Sequence, residues 1–339
     1  ESPTLRENLC LTAPWLKRFL QDDNAKAIAE SAQVVDTTSK LLLQRRRELT
    51  PEGDSKSILG LLLRCNHKAA PEDQLSDEEL LAQIDAFLLA GSDTSSVAAV
   101  WALHELSLNQ DLQKALRAEL APLNLGGGEH DFASDSGIEC DYSTPEPVAQ
   151  FTAIDALPLL DRVVREVLRV HPPVHSSLRV ADADDILPFS PEALPKMADG
   201  SVSRAIVTGK AADGTVRTGI RVRKGEFVHL PFEAMNTMRA IWGEDAHEFK
   251  PDRWLNLPPA AKNNVGLVSG LMTFSVGPHA CPASRLAIAE IKTTLAHVIS
   301  SFTFEEYAKI LPHNMMITRP WVDDEWEKGH RLPLRVRAL

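Results

Sequence analysis

The sequence has few cysteines, and none of them are paired. Cys10, Cys65, Cys140 and Cys281 stand far apart with no Cys-x-x-Cys spacing. That excludes a disulfide framework and a zinc ribbon or finger, and it fits a reducing compartment. Basic residues are outnumbered: 36 Lys and Arg against 47 Asp and Glu leave a net charge of −11. Such a balance argues against nucleic acid as a main partner. The opening Glu1-Ser-Pro-Thr-Leu-Arg6 is polar and reads as neither signal peptide nor membrane anchor. No flavin or nicotinamide fingerprint occurs, and no segment repeats. One stretch, Ala86 to Leu103, is apolar enough to suggest a membrane span, but Asp93, Thr94, Ser95 and Ser96 lie inside it. A charge in mid-bilayer costs about 3 kcal/mol, so the stretch reads as a buried core helix.

What is present is a globular composition, 44% hydrophobic over 339 residues, ample for one large domain. Helical text runs from Leu16 to Arg47, ending in the basic run Arg45-Arg46-Arg47, and again from Ser57 to Arg64. Cys10 and Cys65 lie in helical, partly apolar contexts and read as small buried hydrophobes. Ser76 and Glu79 form a capping box that opens the longest helix, expected to reach about Leu106. A shorter helix is expected over Asp111 to Leu120. Residues 125–150, rich in Gly, Ser, Asp and Pro, read as a flexible insertion within one domain. Asp161 to Val170 is helical and stops at His171-Pro-Pro. Short β-like runs then follow at Ala205–Thr208, Thr215–Arg223 and Glu226–Leu230, before helical text returns at Glu233–Ala240 and Pro282–Ser301. The fold class is mainly α with a small β region.

Four motifs carry chemistry, in this order: Ala90-Gly-Ser-Asp93-Thr94-Ser95 inside the long helix, Glu166-Val-Leu-Arg169, Phe249-Lys-Pro-Asp-Arg253-Trp254, and Phe274-Ser-Val-Gly-Pro-His-Ala-Cys281-Pro-Ala283. Each alone is a weak to moderate signal. The last puts one thiol behind a glycine-bearing loop, with Pro282 suited to the first position of a helix and Cys281 expected at its N-cap. A helix N-terminus favours a thiolate. An isolated cysteine there would read as a buried structural residue.

The ordered set, spanning Ala90 to Ala283, resembles the cytochrome P450 superfamily of haem-thiolate monooxygenases. The run from Trp242 to Trp254 looks most like fungal members. The resemblance implies the C-terminal portion of the P450 fold and haem b (iron protoporphyrin IX), with Cys281 as axial ligand of the iron. It implies that Phe274 shields the sulfur and that Gly277 lets the loop pass close to the porphyrin. Glu166, Arg169 and Arg253 would form an ionic triad supporting the cysteine loop; a solvated surface pair is the alternative. Asp93 and Thr94 would be the acid–alcohol pair that delivers protons, with Gly91 and a Thr94 bond to the Ala90 carbonyl loosening the helix into a groove for dioxygen. An ordinary buried helix is the alternative. Arg179 matches a position that contacts a haem propionate, or is an exposed strand arginine. Phe87, Ala90, Val174, His175, Ser176, Met315 and Met316 fall where family members meet substrate, although each residue type is more often core.

Two positions depart from the family pattern. His279 stands where arginine is common, and Ala283 where glycine is usual. Nothing before Ser76 matches the early Trp and Arg, four residues apart, that family members aim at the propionates; Trp15 has Phe19 at that distance. The sequence therefore reads as residues 1–339 of one haem-thiolate domain lacking its N-terminal part. The implied activity is insertion of one atom of O2 into a small apolar organic substrate. Electrons would come from a separate NADPH-cytochrome P450 reductase. The resemblance implies the cytoplasmic face of the endoplasmic reticulum membrane, or, with no anchor read in this sequence, the cytoplasm. Two other readings stay open: a non-catalytic fragment unable to hold haem productively, and a haem-thiolate isomerase or dehydratase. Asp93 and Thr94 count against the last, because such enzymes need no proton relay.

Overall fold

The computed structural model describes residues 23–49, 58–125, 146–188 and 206–339. They fall into two compact units, Glu1–Asp93 and Thr94–Leu339.

The first unit contains α1 (Asp23–Leu49), α2 (Ile58–Lys68) and the opening half of α3 (Asp77–Leu108). The capping box before α3 forms in both directions. The Ser76 amide donates to the Glu79 carboxylate at 2.8 Å, and the Glu79 amide donates to the Ser76 hydroxyl at 3.3 Å. The Ser76 amide, and after it the Ser76 hydroxyl, donate to the Glu79 carboxylate and lower its pKa. Leu43, Leu80 and Ile84 are its buried apolar residues, and Ser39 donates to Asp85 beside them. Cys65, expected to be buried, is exposed on α2; Cys10 and Cys140 lie outside the described residues.

The second unit holds the main core. The closing half of α3 contributes Val97, Ala98, Trp101, Ala102 and Leu106 to one buried cluster shared with α4 (Gln110–Leu120), α6 (Pro158–Val170) and α10 (Ser284–Ser301). The α6 sequence places Leu160, Val163, Val164, Val167 and Leu168 on one buried face at helical spacing. Its N-terminus lacks a side-chain cap of its own. Instead Glu119 of α4 accepts from the Leu159 and Leu160 amides at 2.8 and 2.9 Å. A carboxylate there satisfies two orphan donors and meets the positive end of the helix dipole. Where the sequence suggested a flexible insertion over 125–150, residues 126–145 lie outside the described set and 146–150 open a helix, α5 (Glu146–Asp155). Pro147 sits in its first turn, where a missing N–H costs nothing.

The β content is four small antiparallel sheets: β1 (Ser177–Val180) with β5 (Phe227–Leu230); β2 (Asp185–Pro188), β4 (Val216–Val222) and β3 (Ile206–Lys210) in that order; β6 (Phe302–Glu306) with β9 (Leu334–Ala338); and β7 (Ile310–Asn314) with β8 (Thr318–Val322). The single helix expected over Glu233–Ala240 is instead two short ones, α7 (Phe232–Asn236) and α8 (Arg239–Trp242), broken at Thr237 and Met238. A last short helix, α9, covers Pro259–Lys262.

Among the described residues α3 is the one helix long and apolar enough to cross a membrane. Its closing half is core, as expected. Trp101 is buried, donates its indole N–H to the Thr318 carbonyl at 2.9 Å, and stacks on His171 at 4.3 Å. Its residues 86–92 are exposed, which corrects the expectation of burial along the whole stretch.

Candidate functional site

The cysteine loop is built from two 3-10 turns, Met272–Phe274 and Gly277–His279. The Cys281 amide donates to the Phe274 carbonyl at 2.8 Å and closes the loop on itself. Phe274 is buried in the main core, and half-buried Cys281 packs against the same cluster. Gly277 has φ +67, and a Cβ placed there would meet nothing within 4 Å. Val276, Gly277, Pro278 and His279 are all exposed. The loop thus offers a thiol with an apolar backing and open space on its glycine side. One expectation is corrected. Helix α10 starts at Ser284 with Ala283 as its N-cap, because Pro282 and Ala283 make a turn and the first helical bond runs from the Ala287 amide to the Ala283 carbonyl. Cys281 stands two residues before that N-cap, so less of the dipole reaches it.

Behind the loop lies a charged cluster. Glu166 and Arg169 are both fully buried, three apart on α6, and paired through two bonds of 2.8 and 2.9 Å. Arg253, on the 3-10 turn Pro251–Leu255, donates Nε to the same carboxylate at 3.2 Å. The structure therefore brings together all three residues expected as a triad. It also adds partners that no spacing in the sequence pointed to. The Trp254 indole and the Lys250 amide each donate to Glu166 at 3.0 Å. Arg169 donates to the carbonyls of Asn236, Ala246 and Glu248, and its guanidinium lies 5.3 Å from the Trp242 ring centroid. Arg253 reaches Asp245 at 2.6 Å, and that bond above all lowers the Asp245 pKa from 3.8 to about 2. Every lone pair and N–H of a buried ion cluster needs a partner: here side-chain and backbone N–H groups meet the Glu166 oxygens, and backbone carbonyls accept from both guanidiniums.

The other expected residues are distributed as follows. Arg179 lies on β1, half-buried, with one guanidinium nitrogen on the Ser177 hydroxyl at 2.7 Å and the Leu178 carbonyl at 2.9 Å. Asp93 and Thr94 are consecutive and half-buried on α3, which stays helical through Ala90–Thr94. In the same stretch the Ser92 hydroxyl donates to the Leu88 carbonyl at 2.9 Å. A Cβ at Gly91 would meet nothing within 4 Å. Phe87 and Ala90 are exposed, and so are Met315 and Met316 at the β7–β8 turn, with Met316 at 88% exposure. Val174, His175 and Ser176 are half-buried. The β7–β8 hairpin is tied to their segment by a bond from the Thr318 amide to the Pro173 carbonyl at 2.8 Å. The Asn314 side chain adds a second tie through Glu233, whose amide donates to the His175 carbonyl.

The sequence profile of the family described as Cytochrome P450 matches residues 3–188 and 202–320. The chain belongs to the cytochrome P450 family. Among curated relatives, this P450 is 35% identical to cytochrome P450 monooxygenase 128 of Postia placenta over 84% of its own length and 46% of the relative's. It is 34% identical to cytochrome P450 monooxygenase claO of Ampulloclitocybe clavipes over 98% of its own length and 56% of the relative's. The P450 thus spans about half the length of the curated relatives it matches. A crystal structure of a cytochrome P450 superposes with a TM-score of 0.65 at 23% identity, covering 98% of this chain and 63% of that one, which establishes the fold. The family implies a haem cofactor. The residues present fit one: a half-buried thiol, an apolar wall at Phe274, and a glycine with open space where a flat macrocycle needs clearance.

Proposed function

We propose that this cytochrome P450 works as a haem-thiolate monooxygenase that inserts one atom of O2 into a small apolar organic substrate. The observation that carries the reading is the cysteine loop, closed on itself at 2.8 Å and backed by a buried, fully partnered Glu166–Arg169–Arg253 cluster. A haem b held there would supply the iron centre at which dioxygen is activated. Cys281 would ligate that iron as a thiolate, and Phe274 would keep water from the sulfur. His279 and Arg179 would offer hydrogen bonds to the propionates. Asp93 and Thr94 would move protons: the Thr94 hydroxyl donates, and the Asp93 carboxyl resupplies it through water. Val174, His175, Ser176, Phe87, Ala90, Met315 and Met316 would border the substrate. Electrons would arrive from NADPH through a separate NADPH-cytochrome P450 reductase, at the cytoplasmic face of the endoplasmic reticulum. We read residues 1–339 as part of one haem-thiolate domain.

The test is oxygen labelling in the full-length holoenzyme with a reductase, NADPH, 18O2 and a panel of small hydrocarbons. The reading expects products carrying one labelled oxygen, and a Thr94→Ala variant that consumes NADPH with about 10²-fold less product per electron pair, the usual scale for losing a positioned proton donor. NADPH oxidation that yields no labelled product from any apolar substrate would count against it.

A further inference from the structure

We propose that Asn236 is a positioning residue for the cysteine loop: it holds the chain entering the loop in a strained conformation and so fixes where the Cys281 sulfur sits. The inference rests on reading Cys281 as the haem ligand. Asn236 is fully buried and ends α7. A residue at a helix end has a carbonyl with no helical partner, and this one accepts from Arg169 at 3.0 Å. Its side chain does two further things. Oδ1 accepts from the Met272 amide at 2.9 Å, and Nδ2 donates to the Thr273 hydroxyl at 2.8 Å. Thr273 in turn donates to the Leu168 carbonyl at 2.6 Å, one residue before Arg169. Consecutive loop residues are therefore bound to the charged cluster through one asparagine.

The next step along the chain shows what this clamp holds. Ser275 has φ 57 and ψ −166, a region that residues with a Cβ avoid. Such a conformation persists only where the surroundings over-determine it. The outer part of the loop, Val276 to His279, is exposed and cannot impose it. The constraint comes from the entry side, where Asn236 fixes Met272 and Thr273 and the Ser275 amide bonds back to the Met272 carbonyl at 2.8 Å. Directly after the clamped pair, the Phe274 carbonyl receives the Cys281 amide. If the entry leg relaxes, Ser275 leaves its strained conformation and the Cys281 position moves with it.

The test uses the full-length holoenzyme, reduced and exposed to carbon monoxide, and reads the share of haem whose Soret band is red-shifted by thiolate. Total haem and far-UV circular dichroism are recorded beside it. Asn236→Ala should keep its haem and helix content while the ratio of shifted to unshifted band falls about tenfold, the scale of one strained residue released. Ser275→Gly alone should keep the shifted band. In the Asn236→Ala background it should recover most of the loss, because glycine adopts that conformation without strain. Should Asn236→Ala not fold, Thr273→Val removes the Thr273 arm of the clamp and leaves the Met272 arm, with little change of shape, and should give a smaller shift of the same kind. An unshifted ratio in both clamp variants, or no recovery with Ser275→Gly, overturns the proposal. Cys281→Ala separates the two claims: a shifted band that survives it removes the haem-thiolate reading itself, whatever Asn236 does.

Discussion

Glu166 is the residue on which most of the order behind the loop rests. Its carboxylate is fully buried, and its two oxygens receive Arg169, Arg253, Trp254 and the Lys250 amide. Removing one member of a buried ion cluster leaves an uncompensated charge. Glu166→Gln should therefore destabilise the fold by about 3–5 kcal/mol in urea denaturation, far more than a surface pair, which contributes about 0–1 kcal/mol. Asp245 makes a pH prediction. Arg253, and then Lys250, hold its folded pKa at about 2 against 3.8 for the ordinary carboxyl. A pKa lowered by folding gives stability that is present above the unfolded value and is lost as pH falls through the folded one. Stability should decline between pH 4 and 2, and Asp245→Asn should flatten that part of a denaturation-versus-pH curve. An unchanged slope would remove Asp245 from the account. At this scale the sequence was legible where spacing encodes contact. Glu166 and Arg169 are one helical turn apart, and Arg253 sits in a recognisable motif. Asn236, Asp245 and Trp254 were not legible as partners: Asn236 and Trp254 reach across 36 and 88 residues, and Asp245 meets Arg253 eight residues on, a spacing that matches no helical or strand period.

At the scale of elements, helices with a one-sided apolar face were read nearly to their ends; α6 and α4 are the clear cases. The four strands after Ser301 were missed. β6 pairs with β9 across most of the C-terminal segment, and only that distant pairing selects strand over other structure. Gln113 shows how remote the support is: from α4 it accepts from the Phe304 amide at 3.0 Å and donates to the Phe304 carbonyl at 2.9 Å. The long helix α3 was read correctly as an element, and its burial correctly only in its closing half. Its periodicity is weak because apolar residues surround it, so the sequence could not tell core from exposed surface. The β2–β4–β3 sheet carries its own test. Gly219, on the central strand, lies so close to β2 that an added Cβ would stand 1.8 Å from the Leu187 carbonyl oxygen. Backbone cannot yield as a side-chain tip can. Gly219→Ala should separate the two strands and lower stability by about 1–3 kcal/mol, seen as a drop in Tm. A Tm equal to that of the natural protein would show that the close approach is not maintained in solution.

At the scale of the whole molecule, family and fold agree between sequence and structure: four ordered motifs, a mainly helical second unit with small sheets, and P450 relatives with matching spans. Composition set the class, and the motif order set the family. Neither could show that residues 86–92 of α3 are exposed, including Leu89 at 77%. Burial depends on what packs alongside, which no local pattern records. The proposed chemistry depends on one sulfur, that of Cys281. The most direct test is the carbon monoxide spectrum of the reduced, haem-loaded full-length protein beside its Cys281→Ala variant. The account predicts a Soret band red-shifted by thiolate ligation in the natural protein and its complete loss in Cys281→Ala. The same shifted band in both proteins, or bound haem with no shift in the natural one, would contradict it.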